Sequence, residues 1–360
     1  MQQRKFLISG GGTGGHIFPA VAVAQLLQKE YTGCEILFVG ASNRMEMEKV
    51  PQEGYKIIGL DVMGLKRAVS PMNIVVLWKF MLAYFKSRRI VKDFNPDCVI
   101  GTGGYASLAV LYAASGMGKK TVIWEGNGYA GLTNKLLANR VNIICTGFPD
   151  MERVFPKEKV RFTGNPVREK LTNIRNKSES CKFFGLNPDK PVLFITGGSL
   201  GAKTINLAIQ QGIDMLVDAG IQVIWQTGKN FEAETSGKEG ILAMPFLREM
   251  EFAYGAADLV ISRAGALSMA EIAVCGKPAL LVPSPNVTDD HQTQNAIQFR
   301  EKGAALLVKD ADVMHYLVAT AIETLQNQAL RDKMREALVR LARPNATAAI
   351  VSEIKNLTAS

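Results

Sequence analysis

The feature that most constrains the fold of this chain is a local pattern that occurs twice: a short apolar run, a glycine-rich loop and a helical stretch. The first copy joins residues 6–9 to the loop at 10–15, and the second joins residues 193–196 to the loop at 197–201. Each copy is typical of the opening of a doubly wound α/β unit, in which glycines allow a tight turn from strand to helix. A chain of 360 residues with two such openings is predicted to contain two domains.

The remaining pattern supports the α/β class, with two Rossmann-like, doubly wound domains. Short apolar runs alternate with helical stretches such as 20–29 and 206–217, which predicts parallel sheets. Strands are predicted at 6–9, 36–40, 98–102, 121–124, 143–146, 192–196, 222–226, 259–262 and 279–283. The segment 147–190 is rich in Pro, Lys, Arg and Asn. We therefore place the domain boundary near 164–166, between a first domain at 1–163 and a second at 164–344.

The charge of the chain is unevenly distributed. Residues 1–163 hold 21 Lys and Arg against 12 Asp and Glu, so the whole net charge of +9 lies in the first domain. This asymmetry indicates an anionic partner such as phospholipid, a phosphorylated substrate or nucleic acid. The alternative is an ordinary surface that charge keeps soluble.

The stretch 62–92 concentrates this charge around an apolar segment. It contains no acidic residue, and its basic residues are Lys66, Arg67, Lys79, Lys86, Arg88, Arg89 and Lys92. The apolar segment at 74–85, with Trp78, Phe80 and Phe85, is too short to cross a bilayer. The pattern fits a core helix of the α/β layer, and it fits equally a basic, aromatic helix that rests on anionic lipid.

Residue types argue against a metal or redox centre. No two of the five cysteines lie within four residues of each other, and the chain has three histidines. The one D-x-D sequence, at 310–312, precedes a helical run and is predicted to cap it. We therefore predict no metal and no cofactor, and the cysteine pattern favours a cytosolic protein.

The first glycine loop matches G-x-G-x-x-G at Gly10, Gly12 and Gly15, a pattern that brings backbone N–H groups to phosphate. An NAD site also needs an acid at the end of the second strand, and residues 39–43 contain none. His16 follows the loop directly. A neutral imidazole near a helix N-terminus suits a general base, although a histidine in this position can also simply cap or pack.

Two polar residues of the second domain each allow two interpretations. Ser199, in the second glycine loop, fits a phosphate contact and also an ordinary N-cap. Glu271 forms the capping-box spacing S-x-x-E with Ser268. Its carboxylate also fits a ribose, from whose two hydroxyls it can accept hydrogen bonds.

Taken together, these motifs resemble the MurG family, the lipid-linked N-acetylglucosaminyltransferases of bacterial peptidoglycan synthesis. The matching stretches span nearly the whole chain in the family's order: 10–16, 101–106, 131–135, 164–168, 197–202, 262–271 and 290–296. The resemblance implies a GT-B fold, with two Rossmann-like domains facing across a cleft and a C-terminal helix, at about 345–360, that joins the first domain. The chain departs from the family pattern at Asn43, Trp124 and Gly126, where the family often has a carboxylate, His and Gln.

The resemblance also implies a reaction. An inverting glycosyltransferase of this family moves N-acetylglucosamine from UDP-N-acetylglucosamine to the 4-hydroxyl of the muramyl sugar of lipid I, undecaprenyl-diphospho-muramoyl-pentapeptide, and so forms lipid II for the cell wall. The implied location is peripheral, on the cytoplasmic side of the inner membrane. The implied partners are the two substrates, an anionic membrane surface and other cell-wall synthesis proteins, but no nucleic acid.

The resemblance assigns roles to side chains of both domains. In the first domain it implies that the catalytic residues are His16, as the base, Glu125 and Asn134. The residues that it implies for UDP-N-acetylglucosamine are Thr13, Gly14, Gly15, Asn127, Arg168, Ser199, Leu247, Arg263, Ala266, Leu267, Ser268, Glu271, Gln292 and Asn295. Within this set, Arg168 and Ser199 would meet phosphate or nucleotide, Leu247 and 266–268 the uracil, Glu271 the ribose and Gln292 the transferred sugar.

Two other classes of function fit parts of the pattern. A UDP-sugar epimerase or an oxidoreductase can use a similar scaffold, but no acid is placed to hold NAD. A non-catalytic basic protein that docks on membranes or nucleic acid would not explain polar residues at so many strand ends.

Overall fold

The computed structural model of the chain describes residues 3–64, 72–198, 200–287 and 290–359. The chain divides into two compact units: unit 1 comprises Met1–Pro166 and Asn345–Ser360, and unit 2 comprises Val167–Pro344. The first change of unit therefore falls directly after Pro166, at the end of the segment in which the sequence pattern places a boundary.

Unit 1 contains a parallel sheet with helices between its strands. Its strands are β1 Lys5–Gly10, β2 Glu35–Ala41, β3 Lys56–Leu60, β4 Cys98–Gly103, β5 Lys120–Glu125, β6 Ile143–Thr146 and β7 Val160–Phe162. They form a seven-stranded sheet in the order β3-β2-β1-β4-β5-β6-β7. The α-helices are α1 Gly14–Glu30, α2 Glu46–Gln52, α3 Met72–Phe94, α4 Tyr105–Gly116 and α5 Leu132–Leu137, and 3₁₀-helices span Met151–Arg153 and Lys157–Lys159.

Unit 2 repeats this plan with a six-stranded parallel sheet. Its strands are β8 Val192–Thr196, β9 Gln222–Gln226, β10 Ile241–Met244, β11 Leu259–Ser262, β12 Ala279–Leu281 and β13 Leu306–Leu307, in the order β10-β9-β8-β11-β12-β13. Its α-helices are α6 Lys177–Phe184, α7 Lys203–Gln211, α8 Ile213–Asp218, α9 Met250–Ala256, α10 Ala266–Val274, α11 His291–Glu301, α12 Val313–Gln326 and α13 Gln328–Leu341, and 3₁₀-helices span Glu169–Leu171 and Asp310–Asp312.

The last helix, α14 Ala346–Ala359, belongs to unit 1 and packs against α1. Two ion pairs accompany this packing: Nζ of Lys355 lies 2.6 Å from Oε2 of Glu30, and Nε of Arg161 lies 3.6 Å from Oε2 of Glu353. The buried side of the helix includes Ile350 and Ile354. Apolar burial therefore holds the end of the chain on unit 1, because exposed ion pairs contribute little to stability.

All of the strands predicted from the sequence are present, and the described residues add β3, β7, β10 and β13. These four are the edge strands of the two sheets. The helical stretch predicted at 206–217 is present, but it consists of two helices, because Gly212 separates α7 from α8. Gly212 lies against α12, where an added Cβ would be 2.6 Å from Cγ2 of Val318, so the close approach of this helix requires a glycine at the break.

Candidate functional site

Each sheet has a switch point at its carboxyl edge. In unit 1 the strand β1 has β2 on one side and β4 on the other, and in unit 2 the strand β8 lies in the same way between β9 and β11. The connections leave in opposite directions at such a point, which opens the crevice where α/β proteins bind ligands. The two glycine loops follow β1 and β8 directly, so each loop lies at the switch point of its own unit.

In unit 1, the glycine loop places His16 against the end of β4. Thr13 precedes α1 in the N-cap position, Gly14 and Gly15 begin the helix, and His16 lies in its first turn. Nδ1 of His16 is 2.7 Å from the carbonyl oxygen of Thr102, and Oγ1 of Thr102 donates to the carbonyl oxygen of His16 at 2.8 Å. A carbonyl oxygen only accepts, so Nδ1 of the neutral ring carries the proton and Nε2 keeps its lone pair, as a general base requires.

Thr102 was not singled out from the sequence, although a signal for it exists. It stands at the end of β4 in the glycine-rich stretch 101–104, next to β1 in the sheet. A Cβ at Gly10 would lie 1.9 Å from Oγ1 of Thr102. One at Gly103, where φ is +107°, would lie 2.6 Å from Cε1 of His16. Glycine at these two positions is therefore what allows the contact between His16 and Thr102.

Glu125 and Asn134 form a buried group at the end of β5. The carboxylate of Glu125, which is 3% exposed, accepts from the backbone N–H of Asn127 at 3.0 Å and of Gly131 at 2.8 Å. It also accepts from Nδ2 of Asn134 at 2.9 Å. These bonds hold the loop between β5 and α5 in place within unit 1, and the carboxylate of Glu125 is their common acceptor.

Trp124, at the end of β5, and the neighbouring Gly126 are sterically linked. Trp124 is buried, and a Cβ at Gly126 would lie 2.4 Å from Cη2 of its indole ring. A side chain at position 126 therefore competes with the indole for the same space. Glycine at position 126 therefore leaves the space that the indole ring of Trp124 occupies.

In unit 2, a buried amide connects the second glycine loop to Leu247. Nε2 of Gln226 donates to the carbonyl oxygen of Gly198 at 2.8 Å, and its Oε1 accepts from the backbone N–H of Leu247 at 3.1 Å. Gln226 is 4% exposed. It was not identified as a candidate residue from the sequence, because there it is only the last residue of an apolar strand. Ser199 lies outside the described residues. The following helix α7 has Ala202 in its N-cap position.

The capping-box interpretation of Glu271 is wrong. Helix α10 begins at Ala266 with Gly265 in the N-cap position, so Ser268 lies within the first turn and cannot cap the helix. Ala266, Leu267 and Ser268 are half-buried at this helix start.

Glu271 instead forms an ion pair with Arg168. Nε of Arg168 lies 2.9 Å from Oε1 of Glu271 and Nη2 lies 3.3 Å from Oε2, while Oη of Tyr254 is 3.5 Å from Oε2. Glu271 is almost fully buried, whereas the side chain of Arg168 is 54% exposed. Burial raises the pKa of the Glu271 carboxyl above its ordinary value, against the opposing effect of the Arg168 guanidinium. The pair therefore presents a cation at the surface and keeps its carboxylate beneath.

Arg263 ties together three segments at the carboxyl edge of unit 2. Its Nη1 donates to the carbonyl oxygens of Val282 and Pro283, both at 3.2 Å, and to Oδ1 of Asp310. Its Nη2 donates to Oγ1 of Thr204 at 2.9 Å. The prediction that the D-x-D sequence caps α12 is wrong for Asp310, whose carboxylate accepts from Arg263 and Thr204. Asp312 occupies the N-cap position without a side-chain capping bond.

Gln292 and Asn295, both on α11, also bond to backbone at this edge. Oε1 of Gln292 accepts from the N–H of Ser284 at 2.9 Å, and Nδ2 of the fully buried Asn295 donates to the carbonyl oxygen of Ala264 at 3.3 Å. The structure thus brings most of the residues predicted for unit 2 to one edge of its sheet. Among the residues that the structure describes, no group of three or more His, Cys, Asp or Glu side chains could hold a metal ion.

Comparison with known families matches both units. The model of the glycosyltransferase family 28 N-terminal domain matches residues 6–146, and that of the family 28 C-terminal domain matches residues 192–349. A curated relative from Cytophaga hutchinsonii is 47% identical over 97% of this chain and 96% of its own length. A relative from Flavobacterium psychrophilum is 45% identical over 100% of this chain and 99% of its own length. Both are named UDP-N-acetylglucosamine–N-acetylmuramyl-(pentapeptide) pyrophosphoryl-undecaprenol N-acetylglucosamine transferase.

Solved structures agree with this comparison. The crystal structure of Acinetobacter baumannii MurG superposes with a TM-score of 0.80 at 29% identity, covering 99% of this chain and 100% of that one. A UDP-GlcNAc 2-epimerase from Neisseria meningitidis has a TM-score of 0.64 at 16% identity, covering 99% of this chain and 100% of that one. At that identity the epimerase shares the fold alone.

Proposed function

Because the chain belongs to the MurG family of N-acetylglucosamine transferases, within glycosyltransferase family 28 and with the GT-B type of fold, we propose that it converts lipid I to lipid II. It transfers N-acetylglucosamine from UDP-N-acetylglucosamine to the 4-hydroxyl of the muramyl sugar of undecaprenyl-diphospho-muramoyl-pentapeptide. The observation that carries this proposal is the 47% identity to a transferase of that name across both units.

In the proposed mechanism of this transfer, Nε2 of His16 removes the proton from the acceptor hydroxyl. The hydroxyl oxygen then forms a bond to the anomeric carbon while the bond from that carbon to the diphosphate oxygen breaks, and UDP leaves with the electron pair. Attack opposite the leaving group inverts the anomeric configuration. The hydrogen bond from Nδ1 of His16 to Thr102 supports this role for His16, because it sets the tautomer that accepts a proton at Nε2.

The departing UDP carries negative charge, and unit 2 has N–H donors and a cation that can compensate this charge. Backbone N–H groups of the loop after β8 and the half-exposed guanidinium of Arg168 are the groups proposed to compensate it. Gln226 and Arg263 hold the surrounding loops in place.

A transfer assay with radiolabelled UDP-N-acetylglucosamine tests this function. Label is expected to enter the lipid fraction only when lipid I, or a short-chain analogue of it, is present. The chemistry of an epimerase differs in that it needs no acceptor. Conversion of the UDP-sugar without acceptor, and no label in lipid, would overturn the proposal.

Transfer is expected to proceed without a divalent cation. In the sole D-x-D sequence, Asp310 is already bound to Arg263 and Thr204, so protein donors rather than a metal are expected to compensate the charge of UDP. The measurement is the transfer rate after exhaustive treatment with EDTA, followed by addition of Mg²⁺ or Mn²⁺. A rate that EDTA abolishes and either ion restores would contradict this expectation.

Replacement of Glu271 by Gln is expected to weaken donor binding without loss of stability. The change neutralises the partner of Arg168 and removes one acceptor from the proposed ribose contact, so kcat/KM for UDP-N-acetylglucosamine should fall at least about tenfold, mainly through KM. The pKa of Glu271 is raised in the folded chain. The stabilisation that comes from this raised pKa is therefore complete only at pH values below the pKa of Glu271 in the unfolded chain. It is lost as pH rises through the pKa of Glu271 in the folded chain. At neutral pH the Gln variant should unfold at no lower temperature than the wild type.

A matched control is Glu251→Gln, which breaks another ion pair within unit 2, to Lys170 at 3.2 Å. This control should leave the donor KM unchanged. An unchanged KM in Glu271→Gln together with a lower unfolding temperature would show that Glu271 has only a structural role.

We further propose that the protein is attached peripherally to the anionic cytoplasmic face of a membrane, through helix α3. Among the described residues, no helix has the length and apolar character needed to span a bilayer. One face of α3 is buried in unit 1 and includes Val76, Ala83 and Val91. The opposite face carries six apolar side chains that are 42–73% exposed, here called the α3 apolar surface: Ile74, Leu77, Trp78, Met81, Leu82 and Phe85. Their helical spacing makes one continuous stripe, which fits insertion into the lipid interface.

The positive charge of this region is partly compensated by ion pairs with acidic residues. Lys79 lies 2.9 Å from Asp61 and Arg89 lies 3.5 Å from Asp93, two acids just outside the stretch 62–92. Lys66 and Arg67 lie outside the described residues. Phe80 packs against the core of unit 1, so it is not available for insertion. The apolar surface therefore supports attachment more strongly than the charge does.

A further inference from the structure

Glu46 connects the glycine loop of unit 1 to the end of β2. It follows Ala41 by five residues, and its side chain is fully buried. Its Oε2 accepts from the backbone N–H of Gly12 at 3.0 Å, and its Oε1 accepts from the backbone N–H of Ala41 at 2.9 Å. One carboxylate thus bridges the loop that follows β1 and the last residue of β2.

This position corresponds to the phosphate of a nucleotide-binding loop. In the pattern G-x-G-x-x-G, the second glycine is the one whose backbone approaches the pyrophosphate. Gly12 is that glycine in this chain, and its N–H donates to Glu46. The acid that a dinucleotide site would place at the end of β2 thus occurs a few residues later, and it satisfies the loop instead of a ribose.

Two further glycines leave room for this side chain. A Cβ at Gly11 would lie 2.0 Å from Oε1 of Glu46, and a Cβ at Gly40 would lie 2.6 Å from its Cγ. The motif leaves position 11 open to any residue, so the buried carboxylate is a specific reason for a glycine there.

We propose that Glu46 is a positioning residue: its carboxylate occupies the phosphate position of the unit 1 glycine loop and thereby holds His16 in its reactive place. The link is short, because Gly12 is followed by Thr13, whose carbonyl oxygen accepts from the backbone N–H of His16 at 3.1 Å. The inference rests on the proposed function for its kinetic consequence, but the anchoring itself is independent of any activity.

The test compares Glu46→Gln with Glu48→Gln in the full chain. Both changes remove one negative charge from α2, but the side chain of Glu48 is 71% exposed. The amide that replaces the Glu46 carboxylate can accept from only one of the two N–H groups, so kcat for transfer should fall at least about tenfold while KM for UDP-N-acetylglucosamine stays within about twofold. Amide hydrogen exchange at Gly12 or Ala41 should accelerate by a similar factor. Glu48→Gln should change none of these quantities.

A second variant, Gly11→Ala, provides a double-mutant cycle with Glu46→Ala. Because the methyl group added at position 11 would displace the carboxylate, each single change should lower kcat through the same lost anchor. The double variant should then be no slower than the slower single variant, whereas independent effects would multiply.

Each outcome decides a separate point. Unchanged exchange at Gly12 and Ala41 in Glu46→Gln, or multiplicative effects in the cycle, would overturn the anchor. Faster exchange with a wild-type kcat would overturn the link to His16. If the wild type transfers no sugar to lipid I although exchange responds as expected, the proposed function fails and the anchor stands.

Discussion

Replacement of His16 by Asn is expected to lower kcat for sugar transfer by about 10²–10⁴-fold, the usual contribution of a general base. Asn is the informative substitution because its Nδ2 can still donate to the carbonyl oxygen of Thr102, the bond that His16 makes at 2.7 Å. The variant therefore keeps the local structure and removes only the proton acceptor. The measurement is steady-state transfer to a short-chain lipid I analogue, together with thermal unfolding.

The control for this change is His315→Asn, since His315 is exposed on α12. It should leave kcat unchanged. If His16→Asn retained more than about a tenth of the wild-type kcat with normal stability, a different group would have to be the base.

Replacement of Leu77, Trp78 and Phe85 together by Ser is expected to abolish most membrane binding. These side chains are 59–64% exposed, so the change costs the fold little. Each apolar side chain that inserts fully contributes about 1.5–3 kcal/mol, so the triple change should lower the partition coefficient by at least about 100-fold. The measurement is co-sedimentation of the full chain with vesicles of phosphatidylglycerol and phosphatidylcholine, at low and high salt.

Two comparisons define the result. The first comparison replaces three exposed apolar residues of unit 2 by Ser, namely Met215, Tyr316 and Val339. This variant should bind vesicles as the wild type does.

The second comparison replaces four basic residues of α3 by Glu, namely Lys79, Lys86, Arg88 and Arg89. Binding to anionic vesicles should weaken, because the attraction of a basic residue near such a surface is worth about 1 kcal/mol. Normal binding by the Leu77, Trp78 and Phe85 variant would show that the α3 apolar surface is not the membrane contact.

The two units illustrate what a sequence pattern reports. The central strands of both sheets are buried on both faces, so β1, β4, β8 and β11 appear as continuous apolar runs and are predictable. The strands that escaped prediction are the edge strands. β7 has three residues and β13 has two, and such strands depend on a neighbour for their hydrogen bonds. Burial is recorded residue by residue in the sequence, whereas pairing at an edge is not.

The sequence by itself determined the α/β class, both glycine loops and the place of His16, because these follow from local spacing and from the turn that glycine permits. Only the tertiary structure decided which partners the polar residues have. Glu271 and Arg168 are 103 residues apart in the chain, and Arg263 and Asp310 are 47 apart. Both contacts join segments that only the fold of unit 2 brings together. In the same way, the hydrogen bond between Glu46 and Gly12 exists because β1 and β2 are neighbours, which no spacing within either segment reveals.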